Sequence, residues 1–115
     1  MGMNASFTKR INTMRVFISS PYAGDIESNV AKARQYCRDA VAKGVNPIAP
    51  HLFYPQFLEY KSPKERKAGL TLGLDLLSLC DEIWVYGQPS PGMQAEIALA
   101  EKHGIPIRHF KEETR

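Results

Sequence analysis

Residues 15–24 read RVFISSPYAG and set the architecture, because a short apolar run passes directly into a polar turn. The run is rich in β-branched and aromatic residues, as buried strands are, and the turn contains Pro21 and Gly24. A helix is predicted next, with Asp25 as its N-cap and Gly44 just beyond its end. Its apolar residues recur at steps of three and four and predict one buried stripe: Ile26, Val30, Ala33, Cys37 and Val41.

The rest of the chain continues this alternation of strands and helices. We predict strands over 45–50, 82–86 and 106–110, helices over 63–79 and 91–103, and an aromatic connection over 51–60. Serine followed by proline marks two helix starts, Ser62-Pro63 and Ser90-Pro91, and Glu65 completes a capping box at the first.

This order of elements predicts an α/β fold. Parallel strands joined by helices form a sheet that is covered on both faces. We expect a three-layer, flavodoxin- or Rossmann-like sandwich with four to five parallel strands in the order 2-1-3-4. The switch point of that order lies between the first and third strands, and ligands of such sheets bind there, beyond the carboxyl ends of the strands.

Length and composition indicate a single globular domain. The 115 residues are 43% hydrophobic and 23% charged, and the net charge is +3. That charge is too small to indicate binding of polymeric nucleic acid. We interpret residues 1–13 as a flexible leader and residues 14–115 as the domain.

The sequence gives no sign of a membrane or secretory protein. Asp75 and Asp81 interrupt the longest apolar run, which stays well short of the roughly 20 residues of a membrane span. The leader lacks the apolar stretch of a signal peptide. Cys37 and Cys80 form no CxxC motif and are expected to be reduced. We therefore expect a cytoplasmic protein without a membrane partner.

Polar residues and glycines follow the first and third strands: Ser19, Ser20, Tyr22 and Gly24 after one, Ser90, Gly92 and Glu96 after the other. Both loops open helices, and helix N-termini attract anions. Hydroxyls at two such starts suit a phosphate or a polyol, although serines are also ordinary N-caps. The absence of GxGxxG and of a Walker lysine excludes the usual dinucleotide and NTPase fingerprints. His51, His103 and His109 lack ligand spacing, so neither a metal site nor a cofactor is predicted.

Glu96 is the carboxylate best placed for chemistry. Facing the crevice, it would be ionised, partly dry and held by the helix dipole, which suits a nucleophile. The alternative is a glutamate that faces solvent and pairs with Lys102 or Arg108. Asp75 faces either solvent or the pocket, whereas Asp81 begins a strand and is interpreted as structural.

The helix over 63–79 and the aromatic connection carry more apolar surface than a small sheet can cover. Leucines occupy several faces of this helix: Leu70, Leu72, Leu74, Leu76, Leu77 and Leu79. Gly69 and Gly73 leave a groove on it for another backbone or a ligand. The aromatic connection must fold back over a ligand pocket or onto another subunit. We therefore expect a homodimer or homotetramer.

Three stretches, residues 15–22, 81–85 and 92–98, together resemble the nucleoside 2-deoxyribosyltransferase-like superfamily. The loop over 88–96, QPSPGMQAE, is similar to that of the deoxynucleoside 5′-monophosphate N-glycosidases, in which a serine six residues before the nucleophilic glutamate holds the phosphate. From residue 14 to residue 110 the chain resembles most an uncharacterised bacterial and phage domain family grouped with these enzymes.

The resemblance implies a role for each matching residue. Glu96 would attack the anomeric carbon of a nucleoside and release the base. Ser20 and Ser90 would hold a 5′-phosphate, and Gly92 would let the sugar approach the backbone. Further substrate contacts are expected from Ser19, Gly24, His51 and Met93.

Two residues of the family pattern differ in this chain. The family's strand tyrosine falls at Val16, so Tyr22 in the following turn is the candidate that replaces it. The family's helical aspartate falls near Gly73, and Asp75 is the nearest carboxylate. We therefore assign Glu96, Tyr22 and Asp75 as the candidate catalytic residues.

These residues favour a nucleoside or nucleotide N-glycosidase or 2-deoxyribosyltransferase, acting on a small-molecule substrate. The six-residue spacing from Ser90 to Glu96, which matches that of the resembling glycosidases, supports this enzymatic hypothesis. The missing strand tyrosine supports a second hypothesis, a non-catalytic nucleotide-binding or sensor module of the same fold. A third and weaker hypothesis is a TIR-like domain that cleaves NAD.

Overall fold

The computed structural model describes residues 13–112, so the predicted leader lies outside the described residues except for Thr13. The strands are β1 (Arg15–Ser19), β2 (Asn46–Ile48), β3 (Glu82–Tyr86) and β4 (Ile107–Phe110). The helices are α1 (Ile26–Ala42), α2 (Pro50–Phe53), α3 (Pro63–Leu77) and α4 (Pro91–Lys102), and a 3₁₀ turn (Tyr54–Gln56) follows α2. No helix among these is long and apolar enough to cross a membrane.

The strands form one parallel sheet in the order β2-β1-β3-β4. This confirms the predicted α/β fold and its strand order. Strands β1 and β3 have the predicted ends, whereas β2 is shorter than its predicted range. The prolines explain this difference, because Pro47 has no N–H to donate and sits on an edge strand, and Pro50 is already the first residue of α2.

The sheet is buried on both faces, as a three-layer sandwich requires. Val16 and Ile18 of β1 point to one face, where they pack with Tyr36 of α1 and Trp84. Phe17 points to the other face and packs with a cluster that includes Leu77 of α3 and residues of α4. Successive side chains of a strand alternate between faces, so β1 contributes to both cores and reads as a continuous apolar run.

Helix α1 begins and ends as predicted but buries a different stripe. Asp25 Oδ1 accepts a hydrogen bond from Ser28 N at 3.2 Å, and Gly44 has the positive φ expected beyond a helix end. The buried residues are Ala33, Tyr36 and Ala40, while Ile26 and Val41 are exposed. The predicted stripe was therefore right at Ala33, which is buried, and at Cys37, which packs against the core, and wrong at Ile26 and Val41. The Tyr36 ring stacks on Tyr86 at 4.0 Å and turns its face of the helix to the sheet.

The aromatic connection is compact and packs across α3. Helix α2 lies over Gly73, where an added Cβ would stand 3.4 Å from Pro50 Cβ, and Leu58 lies over Gly69. The groove formed by the two glycines thus accommodates a neighbouring segment of the same chain. At the start of α3, Ser62 Oγ accepts from Glu65 N at 3.3 Å, but the Glu65 carboxylate accepts from Glu59 N and ties this segment to the helix.

Candidate functional site

A cavity of about 620 Å³ lies beyond the carboxyl ends of β1 and β3. Its walls come from the turn after β1, helix α3, the start of α4, and the aromatic segment, which is the aromatic connection taken together with Pro50 (residues 50–60). This is the switch point at which parallel sheets bind ligands, and the volume falls within the roughly 300–1,000 Å³ of small-molecule sites. The aromatic segment therefore folds over a pocket, one of its two predicted positions.

Glu96 and Ser19 meet at the inner end of this cavity. The Ser19 hydroxyl donates to Glu96 Oε1 at 2.6 Å, although 77 residues separate the two in sequence. Glu96 lines the cavity, whereas Ser19 is fully buried at the end of β1 and does not line it. The alternative of a solvent-facing Glu96 is excluded, since its carboxylate lines the cavity and accepts from Ser19, and within residues 13–112 it forms no ion pair with Lys102 or Arg108.

The protonation of Glu96 differs from the expected ionised state. Loss of solvent raises its pKa to about 7, and the hydrogen bond from Ser19 lowers it only in part. Glu96 is the sixth residue of α4, beyond the first turn in which the helix dipole acts. The dipole therefore gives Glu96 little of the predicted support, and near neutral pH the carboxyl is about half protonated.

Ser20 and His51 form a second polar pair on the cavity wall. Ser20 Oγ and His51 Nε2 lie 2.8 Å apart, and both residues line the cavity. Burial lowers the pKa of His51 to about 4, so its imidazole is uncharged at neutral pH. The pair joins the turn after β1 to helix α2 and presents a neutral hydroxyl and imidazole to the cavity.

The start of α4 forms another wall. Ser90 is the predicted N-cap, and its Oγ accepts from Met93 N at 3.4 Å, while Ser90 N donates to Met93 Sδ at the same distance. Gly92 lines the cavity, and an added Cβ there would meet nothing within 4 Å. The backbone at Gly92 is therefore open to a ligand, and Met93 is held in place by its sulfur contact.

Tyrosines and one arginine form the outer wall. The rings of Tyr22 and Tyr60 lie 5.3 Å apart, and burial raises the pKa of Tyr22. The Arg66 guanidinium lies 5.3 Å over the Tyr60 ring and donates to the Tyr60 carbonyl oxygen at 3.4 Å. Aromatic faces of this kind suit a flat heterocycle.

The structure brings most of the predicted site residues to this cavity: Ser19, Ser20, Tyr22, His51, Ser90, Gly92, Met93 and Glu96. It does not bring Gly24 or Asp75 there. Gly24 is exposed with φ +95° and serves the turn. Asp75 is exposed because two residues rotate a helix by about 200°, and Gly73 faces the pocket.

Asp81 has a structural role outside the cavity, and Tyr60 and Arg66 line the cavity although they were not assigned to the site from the sequence. Asp81 Oδ2 accepts from Arg15 N at 2.8 Å at the opposite end of the sheet, in agreement with its predicted structural role. Tyr60 and Arg66 line the cavity without having been singled out, and only the aromatic content of residues 51–60 pointed toward Tyr60. Within residues 13–112, no cluster of three or more acidic, histidine or cysteine side chains is able to hold a metal ion.

Comparison with known proteins supports the fold. The model of a family described as a domain of unknown function (DUF7768) matches residues 14–110. No curated protein matches the chain. The solved 2-deoxyribosyltransferase of the psychrotolerant bacterium Bacillus psychrosaccharolyticus is similar, with 19% identity and a TM-score of 0.64 over 88% of this chain and 77% of that one. A 2-deoxyribosyltransferase from Leishmania mexicana is 18% identical, with a TM-score of 0.61 over 89% of this chain and 67% of that one.

Proposed function

The chain belongs to the DUF7768 family, and from the geometry of its site we propose that it cleaves the N-glycosidic bond of a nucleoside or nucleotide with Glu96 as the nucleophile. The observation that carries this proposal is the Glu96 carboxylate, held at 2.6 Å by Ser19 at the inner end of an aromatic-walled cavity. The fold shared with two proteins named 2-deoxyribosyltransferases supports the substrate class.

The proposed reaction proceeds in two displacements. The ionised Glu96 attacks the anomeric carbon, the bond from that carbon to the base nitrogen breaks, and the base leaves with the electron pair. Water or a second base then attacks the glycosyl ester and frees Glu96, which gives hydrolysis or transfer respectively. We assign Tyr22 as the hydrogen-bond donor to the departing base, because it lines the cavity and its phenol, whose pKa is raised further by burial, is protonated at neutral pH. Asp75 has no part in this proposal, since it lies outside the cavity.

The remaining substrate contacts are proposed from the cavity wall. Ser20, His51 and Ser90 offer polar groups for the sugar end, and Gly92 and Met93 border the same space. The tyrosines of the outer wall face the base. Ser19 acts on the substrate only through Glu96, because it does not line the cavity.

The reaction is tested by measuring release of free base from a panel of 2′-deoxynucleosides, their 5′-monophosphates and NAD. Glu96→Ala should abolish release while substrate binding, measured by calorimetry, persists. Glu101→Ala is the matched control, an exposed glutamate on the same helix, and should leave release unchanged. Undiminished release by Glu96→Ala would refute the role of Glu96.

A non-catalytic nucleotide-binding module is the second candidate. The observation that favours it is the position of Asp75, the nearest carboxylate to the family's helical aspartate, which is exposed and lies outside the cavity. Tight nucleoside binding by the wild type without release of base from any member of the panel would support this candidate. Release of nicotinamide from NAD alone would instead support the TIR-like alternative.

We also propose that the protein is a homodimer or homotetramer in the cytoplasm. Helix α3 and the residue after its C-cap expose Leu70 and Leu79, and the aromatic segment exposes Phe53 and Phe57, each by more than half of its surface. Exposed apolar side chains of this size are typical of subunit contacts. Cys37 and Cys80 are free thiols, which is consistent with a reducing compartment.

A further inference from the structure

The cavity is poor in positive charge. Among the described residues that line it, Arg66 is the only lysine or arginine, and Glu59, Glu65 and Glu96 are acidic. His51 adds no charge, because burial keeps its imidazole neutral at physiological pH. A phosphate dianion inside this cavity would meet more acidic than basic side chains.

Arg66 is also engaged at the outer wall. Its guanidinium donates to the Tyr60 carbonyl and covers the Tyr60 ring, so it already has partners on the aromatic segment. At the inner end, Glu96 accepts from the Ser19 hydroxyl, and no lysine, arginine or histidine within residues 13–112 lies within salt-bridge distance of its carboxylate. The nucleophile therefore has no positive group beside it.

A bound phosphate would act against the nucleophile. A negative charge near a carboxyl raises its pKa and favours the protonated form. Because the Glu96 pKa is already near neutrality, a dianion without a countercharge would leave little ionised Glu96 to attack the sugar.

The hydroxyl groups at the sugar end suit a neutral partner. The Ser20–His51 pair contains a hydroxyl and an uncharged imidazole, so depending on the imidazole tautomer it is able to donate to or accept from a ligand. A sugar hydroxyl both donates and accepts, whereas a phosphate dianion only accepts. Ser90 Oγ already accepts from Met93 N and has one proton left to donate.

We propose that the substrate of this site is an uncharged nucleoside, and that Ser20 and His51 bind its 5′-hydroxyl in the place where the loop resemblance implies a phosphate. This inference rests on the proposed function, because it specifies the substrate of the same cavity. It assigns Ser20 and His51 to recognition of a neutral group rather than to anion binding.

The test compares one 2′-deoxynucleoside with its 5′-monophosphate on the full-length protein. Binding is measured by calorimetry with the wild type and a non-cleavable analogue of each ligand, so that no turnover interferes and the Glu96 carboxylate is retained, and kcat/KM for base release is measured with the wild type. We expect the nucleoside to be favoured by about tenfold or more in both measurements, since uncompensated like charge costs affinity. The matched variant Ser20→Ala should weaken binding of the nucleoside but not binding of its 5′-deoxy analogue, which lacks the 5′-hydroxyl.

The outcomes separate this inference from the proposed reaction. Equal or tighter binding of the monophosphate overturns the inference. Faster release of base from the monophosphate than from the nucleoside also overturns the inference but supports the proposed reaction. Preferred binding of the nucleoside without release of base by the wild type supports the inference and overturns the reaction. Failure of both ligands to bind at millimolar concentration overturns both.

Discussion

Replacing Ser19 by alanine should shift the pH dependence of the reaction. Ser19 is fully buried and donates to Glu96 Oε1 at 2.6 Å without lining the cavity. Because this hydrogen bond favours the ionised carboxylate, its removal raises the pKa of Glu96 above about 7. A hydrogen bond to a charged group contributes about 1.5–3 kcal/mol, and 1.36 kcal/mol corresponds to about one pKa unit.

The size of the effect follows from the ionised fraction. At pH 7 about half of the wild-type Glu96 is ionised, and in Ser19→Ala about 10% to 1% would be. We therefore expect kcat/KM at pH 7 to fall about 5- to 50-fold. At pH 9, where about half or more of the variant also ionises, the two proteins should differ by only about twofold or less.

The assay is base release from a 2′-deoxynucleoside at low substrate concentration, between pH 5.5 and 9.5, because kcat/KM reports groups of the free enzyme. Ser19→Thr keeps the hydroxyl and should keep the wild-type midpoint. Ser20→Ala is the matched control, since its hydroxyl bonds His51 rather than Glu96, and it should lower the rate without moving the midpoint. A Ser19→Ala profile with an unchanged midpoint, or a loss of equal size at every pH, would refute the reasoning.

Two further predictions concern stability and assembly. Glu96→Gln should raise the free energy of unfolding at pH 8 by up to about 3 kcal/mol and leave it nearly unchanged near pH 4.5. The reason is that a carboxyl whose pKa folding raises from 4.5 to about 7 costs stability only above its unfolded pKa. Urea unfolding at the two pH values checks this, and an equal gain at both would contradict it. Light scattering should show the wild type as a dimer or tetramer that Leu70→Glu weakens, because Leu70 is 53% exposed on α3. A wild-type particle of 12.9 kDa would contradict this expectation.

Local patterns were sufficient to predict the fold. The run over residues 15–19 and the serine-proline helix starts depend on neighbours in sequence, and the structure places β1 and α4 where these signals lie. The strand order followed from the chirality and spacing of β-α units. Side-chain direction was less predictable: α1 turns Tyr36 to the sheet because of a stack with Tyr86, which lies 50 residues away along the chain.

The composition of the site was predictable, but its electrostatics were not. Serines and Glu96 were found from their positions after two strands, since the carboxyl ends of parallel strands meet at one edge. The protonation of Glu96 depends on burial by distant segments and on Ser19, and no local pattern encodes either. Asp75 was misplaced for a simpler reason, because its position relative to Gly73 puts it on the opposite face of α3.

His51 and Glu96, the two buried titratable groups of the cavity, link the stability of the fold to pH, and Glu96 links it also to the activity. Burial lowers the pKa of His51 to about 4, so the stability that depends on its neutral form is lost as pH falls from its unfolded value near 6.5. Burial raises the pKa of Glu96 to about 7, so stability is lost as pH rises from 4.5 toward that value. In the folded protein both groups are mostly uncharged between about pH 4 and pH 7, so the ionised nucleophile is scarce there, whereas the unfolded chain already charges both groups within that range. The stability lost to Glu96 accumulates between pH 4.5 and about 7, so the ionised nucleophile becomes abundant only where that whole cost is present, which is the compromise that a buried carboxylate without a neighbouring cation imposes.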